Sequence, residues 1–176
     1  MPRNIEIKAT VEDFGRIQGL IETLADQGPT ELNQIDTFFG CRDGRLKLRE
    51  FGQGTAELIF YRRPNVPGPK ASEYSICPVG DPAALKEILN SANGILAIVR
   101  KRRLLYLAGR TRIHLDQVED LGVFLELEVV LAPTQMTEDG INVAEGLMRD
   151  LEIGEDQLVD MAYVDLLLKG TSRFSS

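Results

Sequence analysis

Polar and apolar positions alternate at the start of the chain, with Asn4, Glu6 and Lys8 on one side and Ile5, Ile7 and Ala9 on the other. A period of two marks a strand, here with one charged and one apolar face. The period then changes. From Val11 to Gly28 the apolar residues Phe14, Ile17, Ile21 and Leu24 recur at three and four, which predicts an amphipathic helix ended by Gly28-Pro29. Strand-like segments follow at 31–40, 45–51, 56–63 and 70–77, separated by Asp43-Gly44, Gly52-Gln53-Gly54 and the loop from Pro64 to Pro69. Asp81-Pro82 supplies an N-cap and a first-turn proline, and Leu85, Ile88 and Leu89 give the helix that follows its apolar stripe up to Asn93-Gly94. Three more strands are expected near 95–107, 109–118 and 123–131. The tail reads as helix over 137–151 and again over 156–169, with a frayed end after Gly170.

About eight strands and three or four helices, mostly joined by short turns, predict an α+β fold built on a closed antiparallel sheet. One domain over 1–170 with a short tail at 171–176 is the expected organisation. The strand faces say which way the sheet curls. Val99, Lys101 and Arg103 share one side of their strand; Arg110, Arg112, His114 and Asp116 share one side of the next; Glu126 and Glu128 share one side of the last. The amphipathic helices need apolar sheet faces to cover. If they cover them from outside, the result is an eight-stranded antiparallel β-barrel, a tunnel with a charged lumen and helix-covered apolar outer faces. Burying unpartnered charge costs more than folding supplies, so such a lumen is expected to be wet and to hold a polyanion with metal.

Composition narrows the function. The chain has 176 residues, 43% of them hydrophobic and 27% charged, and a net charge of -7, which argues against a nucleic-acid-binding surface. The basic residues nevertheless cluster in strands, as in Arg45-Leu46-Lys47-Leu48-Arg49 and Arg100-Lys101-Arg102-Arg103. No apolar run is long enough for a membrane span and no secretory signal opens the chain, so a cytoplasmic location without a membrane partner is expected. Cys41 and Cys77 have neither disulfide-framework nor zinc spacing, and a single histidine excludes a multi-histidine zinc site. Glu126 and Glu128, joined by Glu6 if the barrel closes, offer oxygen ligands that suit Mg2+ or Mn2+.

Ile5-Glu6-Ile7-Lys8, Gln34-Ile35-Asp36-Thr37-Phe38-Phe39, Leu46-Lys47-Leu48-Arg49, Arg62-Arg63-Pro64 and Lys101-Arg102-Arg103 occur in order along nearly the whole chain. They lead to Arg112-Ile113-His114-Leu115-Asp116 and Leu121-Gly122-Val123-Phe124-Leu125-Glu126-Leu127-Glu128. This ordered set resembles the CYTH superfamily, the triphosphate tunnel metalloenzymes, and its last block resembles the class IV adenylate cyclase branch. The resemblance implies metal ligation by Glu6, Glu126 and Glu128, and triphosphate binding by Lys8, Lys47, Arg49, Arg62, Lys101, Arg103 and Arg112. Lys8, Arg103 and Asp116 are the catalytic candidates. Asn4, His114, Ser72 and Glu73 are candidates for support, with Lys70 beside them. Arg62 is preferred to Arg63, although a bulge near Pro64 would exchange them.

The family's opening motif, E-x-E-x-K, here begins with Asn4, which removes one negative charge from any metal site that uses it. Three functions follow. The first is a lyase of the class IV adenylate cyclase kind, converting ATP to cyclic AMP and pyrophosphate. The second is a triphosphatase acting on inorganic, thiamine or nucleoside triphosphate, and the third is a polyphosphate-binding module without turnover. The substrate partner in each is a small-molecule triphosphate. Homodimers are common among the cyclase relatives, and nothing in the sequence shows one.

Overall fold

The computed structural model describes residues 3–52 and 54–171. Its strands are β1 (Arg3–Thr10), β2 (Gln27–Phe39), β3 (Arg45–Glu50), β4 (Ala56–Arg62), β5 (Lys70–Val79), β6 (Ile95–Ala108), β7 (Thr111–Val118) and β8 (Gly122–Val130). The helices are α1 (Phe14–Leu24), α2 (Pro82–Asn93), α3 (Thr137–Asp150) and α4 (Tyr163–Thr171). All eight strands pair antiparallel in the ring order β1-β5-β4-β3-β2-β6-β7-β8, and β8 returns to β1. That last pairing places Glu6 opposite Glu128 and Lys8 opposite Glu126. The ring therefore has an inside and an outside, and strand alternation sorts the side chains between them.

The outside is apolar and covered where α1, α2 and α3 lie on it, whereas on β2 and β6 it carries exposed Glu31, Arg100 and Arg102 and the exposed apolar residues Ile35 and Ile98. Ile5, Ile7 and Ala9 of β1 pack with Ile113, Leu115, Leu125 and Leu127 beneath Ile17 and Ile21 of α1 and Ala144 of α3. A second apolar cluster lies at one end of the interior, where Phe38, Val99 and Phe124, on the same strand faces as the charged residues, meet Tyr163 and Val164 at the start of α4; on the outside, Leu85 and Leu89 of α2 sit on Phe39 and Leu48. Local chemistry agrees with these placements. The Asp13 carboxylate accepts from the Arg16 amide at the start of α1, and Asp81 accepts from Ala84 at the start of α2, just before Pro82.

Two expected boundaries move. Helix α1 stops at Leu24, and Gly28-Pro29 lies inside β2, where the register with β6 shifts between Gln27 and Thr30. Proline has no amide to donate to the ladder, so an irregularity in the pairing accommodates it. Gly28 has φ of +115°, and a Cβ there would meet the Leu105 carbonyl oxygen at 2.7 Å.

The expected helix over 156–169 is also divided. A single 3-10 turn, Glu155–Gln157, is followed by extended chain, and α4 begins only at Tyr163. The pairing of β5 with β1 covers Arg3 to Glu6, which leaves the backbone near Lys8 open on that side. The Val159 amide donates to the Lys8 carbonyl at 2.9 Å and Leu158 bridges Ala9, so the chain here is drawn along β1 instead of coiling. Of the expected tail, residues 172–176 lie outside the described residues. No helix among the described residues is long and apolar enough to cross a membrane. Cys41 and Cys77 are free and exposed.

Candidate active site inside the tunnel

The interior of the ring is one cavity of about 410 Å³ lined from every strand. Its charged residues are Glu6 and Lys8 (β1), Asp36 (β2), Lys47 and Arg49 (β3), Glu57 (β4) and Arg63 just past its end, Lys101 and Arg103 (β6), Arg112 and His114 (β7), and Glu126 and Glu128 (β8). Asp116 lies buried just behind them, bound to Arg103.

Cations gather on three carboxylates, Asp36, Asp116 and Glu126. Asp36 accepts Lys47 at 2.9 Å, both Nε and Nη2 of Arg49 at 2.7 Å, and Lys101 at 3.3 Å. Burial opposes ionisation of Asp36, but Arg49, Lys101 and Lys47 outweigh it and hold its pKa well below the usual carboxylate range. Arg103 forks onto Asp116 at 2.7 and 2.6 Å and reaches Glu126 at 2.7 Å. Lys8 stands 3.2 Å from Glu126, donates to the Met161 carbonyl, and lies 3.7 Å from the centre of the Tyr163 ring. The lumen charges thus partner one another, which is how so many ions are accommodated without a ligand. A polyanion would compete with these carboxylates for donors that are already in position.

Burial lowers the pKa of the lysines that face the cavity, Lys8, Lys47 and Lys101. Lys8 is brought down to about 8, and Lys47, with Arg49 adding to the effect, to about 7. Both sit close enough to neutrality for a bound anion to change their protonation.

Carboxylates collect on the other side of the lumen. Ligand atoms of His114, Glu126 and Glu128 lie within 4.8 Å of one another. Burial and then Arg103 push the His114 pKa down, favouring the neutral ring, and its Nδ1 is buried with no hydrogen-bond partner. Glu6, opposite Glu128, has its pKa raised by burial and by the neighbouring charges of Glu128 and Glu126. A carboxylate held near two others beside an unpartnered imidazole nitrogen is a donor set that fits a hard divalent cation, Mg2+ or Mn2+. The repulsion relieved by such an ion is centred on Glu6. Glu126 is different, because removing it would leave Lys8 and Arg103 short of a partner.

The structure brings most of the sequence candidates together. Glu6, Lys8, Lys47, Arg49, Lys101, Arg103, Arg112, His114, Glu126 and Glu128 face the cavity, as do Asn4 and Ser72. Arg62 does not, since it is exposed and donates to Asp43 at 2.8 Å. Its neighbour Arg63 lines the tunnel, 3.5 Å from Glu6, because β4 keeps its alternation through Glu57, Ile59 and Tyr61 without a bulge. Glu73 is likewise outside and exposed. The buried Lys70 ammonium is turned to the carbonyls of Val66 and Val159.

Sequence reasoning assigned no role to Asp36 or Tyr163. Asp36 could have been found from the face it shares with Gln34 and Phe38. Tyr163 carried no such signal. It reaches the lumen from α4, donates its hydroxyl to Asp116 at 3.0 Å and packs edge-on against Phe124 at 5.0 Å.

The pattern of the CYTH domain family matches residues 2–163. The chain belongs to the CYTH domain family. A Methanocaldococcus jannaschii protein provisionally named an adenylate cyclase is 23% identical over 172 residues, 92% of this chain and 97% of that protein. Among solved structures, a Pyrococcus horikoshii protein superposes with a TM-score of 0.83 at 24% identity, covering 93% of this chain and 98% of its own. A Hippeastrum protein provisionally called an adenylyl cyclase, for which a dominant triphosphatase activity is described, superposes with a TM-score of 0.69 at 16% identity, covering 97% and 96%. The CYTH tunnel is thus the fold of this chain.

Proposed function

We propose that this CYTH protein is a metal-dependent enzyme acting on a small-molecule triphosphate, with ATP cyclisation of the class IV adenylate cyclase kind as its leading reaction. One observation carries the reading: a cationic wall (Lys47, Arg49, Lys101, Arg103) and a carboxylate–imidazole cluster (Glu126, Glu128, His114) share one 410 Å³ cavity. Arginine forks and lysine ammonium groups fit the non-bridging oxygens of a polyphosphate. Glu126 and Glu128, with Glu6 and His114 beside them, would hold Mg2+ or Mn2+. When bound, such an ion lowers the pKa of an attacking hydroxyl and offsets charge on the transferring phosphoryl group.

In cyclisation the ribose 3′ oxygen bonds to the α-phosphorus and gives up its proton to solvent, while the bond from that phosphorus to the pyrophosphate oxygen breaks and pyrophosphate leaves with the bonding electron pair. Lys47, Arg49 and Lys101 would stabilise the charge on the departing pyrophosphate, with little reorganisation because Asp36 already aims them inward. Arg103, fixed by Asp116, is placed to bridge the phosphate site and the Glu126 carboxylate. Burial and then Asp116 keep the Tyr163 phenol protonated, so it holds Asp116 as a donor.

Hydrolysis of the terminal phosphate is the second reading, favoured by the activity described for the Hippeastrum relative. Incubation with ATP and Mn2+, followed by product identification, separates the two. Cyclic AMP with pyrophosphate is expected; ADP and orthophosphate alone would transfer the proposal to hydrolysis, and no product from ATP, thiamine triphosphate or tripolyphosphate would end it.

A further inference from the structure

We infer that Tyr163 is a positioning residue of the tunnel, whose ring holds the ammonium groups of Lys8 and Lys101 in place as a pair for one phosphate group. The inference rests on the triphosphate reading above and adds to it a residue from outside the barrel strands. Lys8 Nζ stands over the Tyr163 ring, 3.7 Å from its centre, the closest approach of a cation to an aromatic ring among the described residues. Lys101 Nζ lies 5.2 Å from the same centre. Both distances fall within the roughly 6 Å over which the negative face of an aromatic ring attracts a cation. The two lysines belong to different walls of the lumen, Lys8 of β1 standing by Glu126 and Lys101 of β6 by Asp36. Tyr163 is where they meet.

Carboxylates are poor holders of this pair for a polyanion. Asp36 is shared with Lys47 and Arg49, and Glu126 with Arg103 and, in the triphosphate reading, with a metal ion. Each of them also repels an incoming phosphate. An aromatic ring attracts cations through its quadrupole while carrying no net charge, so it keeps the lysines without opposing the anion. Burial strengthens that attraction, since Lys8, Lys101 and Tyr163 are all nearly stripped of water. The ring itself is anchored elsewhere. Its hydroxyl donates to Asp116 at 3.0 Å, and Phe124 meets it edge-on with the two planes at 63°. The turn that carries it is tied down by Asp165, which accepts from the Ala162 amide at 3.2 Å and from Arg45 at 2.5 Å. The lysines therefore take their positions from the ring, not the ring from them.

Titration calorimetry of the full chain with Mg2+ and tripolyphosphate tests it, comparing the unaltered protein with Tyr163→Phe and Tyr163→pentafluorophenylalanine. Fluorination nearly keeps the outline of the ring and reverses the charge on its face, so the packing stays while the attraction is lost. Tyr163→Phe should bind much as the unaltered protein does. The fluorinated variant should bind about 10-fold more weakly, the scale of a desolvated cation–π contact. The same fluorination at Phe124, in the same apolar cluster, is the control and should leave the affinity unchanged. Equal affinities of Tyr163→Phe and its fluorinated counterpart overturn the inference. So does an equal loss at Phe124, which would mark the effect as a general loosening of this end of the lumen. Should the fully fluorinated ring prevent folding, Tyr163→difluorophenylalanine must give a smaller loss of the same sign, and no loss there also overturns it. If the unaltered protein takes up no tripolyphosphate at all, the triphosphate reading falls and this inference with it; binding that ignores fluorination defeats this inference alone.

Discussion

Lys47, Arg49 and Lys101 share the carboxylate of Asp36, and their mutual repulsion is what a bound polyanion would relieve. Lys47 shows the cost most directly. Burial, with Arg49 beside it, brings its pKa from the model-compound value of 10.5 to about 7. Between those values the unfolded chain carries the proton that the folded one lacks. Stability lost through this group is therefore greatest below pH 7 and is regained as pH rises toward 10.5. Lys47→Met is expected to raise the melting temperature of the ligand-free protein at pH 6, with a gain that shrinks by pH 9, as melts across that range would show. The same variant should bind tripolyphosphate more weakly at pH 6, where the native lysine is charged. A lower melting temperature at pH 6 would mean that the Lys47–Asp36 attraction outweighs the burial of Lys47.

Helices α1 and α3 lie on the same apolar wall at different closeness, and their glycines record it. A Cβ on Gly140 of α3 would come within 2.5 Å of Ile5 Cγ1 and 2.7 Å of Leu131 Cδ2, so the absence of a side chain lets α3 rest directly on β1. Gly19 of α1 is exposed, with nothing within 4 Å of a Cβ built there. Gly140→Ala should therefore destabilise by about 1–3 kcal/mol through overpacking, whereas Gly19→Ala should stabilise by about 0.5–1 kcal/mol through reduced backbone entropy in the unfolded chain. Denaturant unfolding of the two variants checks both signs. Strand β1, which carries Asn4, Glu6 and Lys8 on its other face, should be disturbed only by the first.

At the scale of the whole molecule, ring closure makes the site. Glu6 meets Glu128, and Lys8 meets Glu126, only because the first strand pairs with the last. A ligand that needs the closed ring binds the folded chain and not the unfolded one, so occupancy of the lumen should stabilise the entire fold. Mg2+ with tripolyphosphate at 100 times its dissociation constant is expected to add about 2.7 kcal/mol to unfolding. The gain should decline as salt is raised, because the contacts are ionic. Calorimetric melts in low and high salt measure it; no shift in low salt would mean that the lumen does not take the polyanion.

The sequence by itself determined the alternation of faces, and hence the strands, the amphipathic helices and the pairs that share a face, Lys47 with Arg49, Lys101 with Arg103, and Glu126 with Glu128. A side chain's face follows from the period of two and needs no knowledge of distant residues. Tertiary structure alone decided the rest. Arg63 faces the tunnel instead of Arg62 because β4 continues without a bulge toward Pro64, a feature set by its pairing with β5. Asp36 becomes the hub of the cationic wall because β3 and β6 flank β2 and bring their lysines and arginine to it. Tyr163 enters the lumen because the chain before it is drawn along β1, which sets where α4 begins. Each of these depends on which strand lies beside which, and that is a long-range choice made by packing and ring closure, not by local pattern.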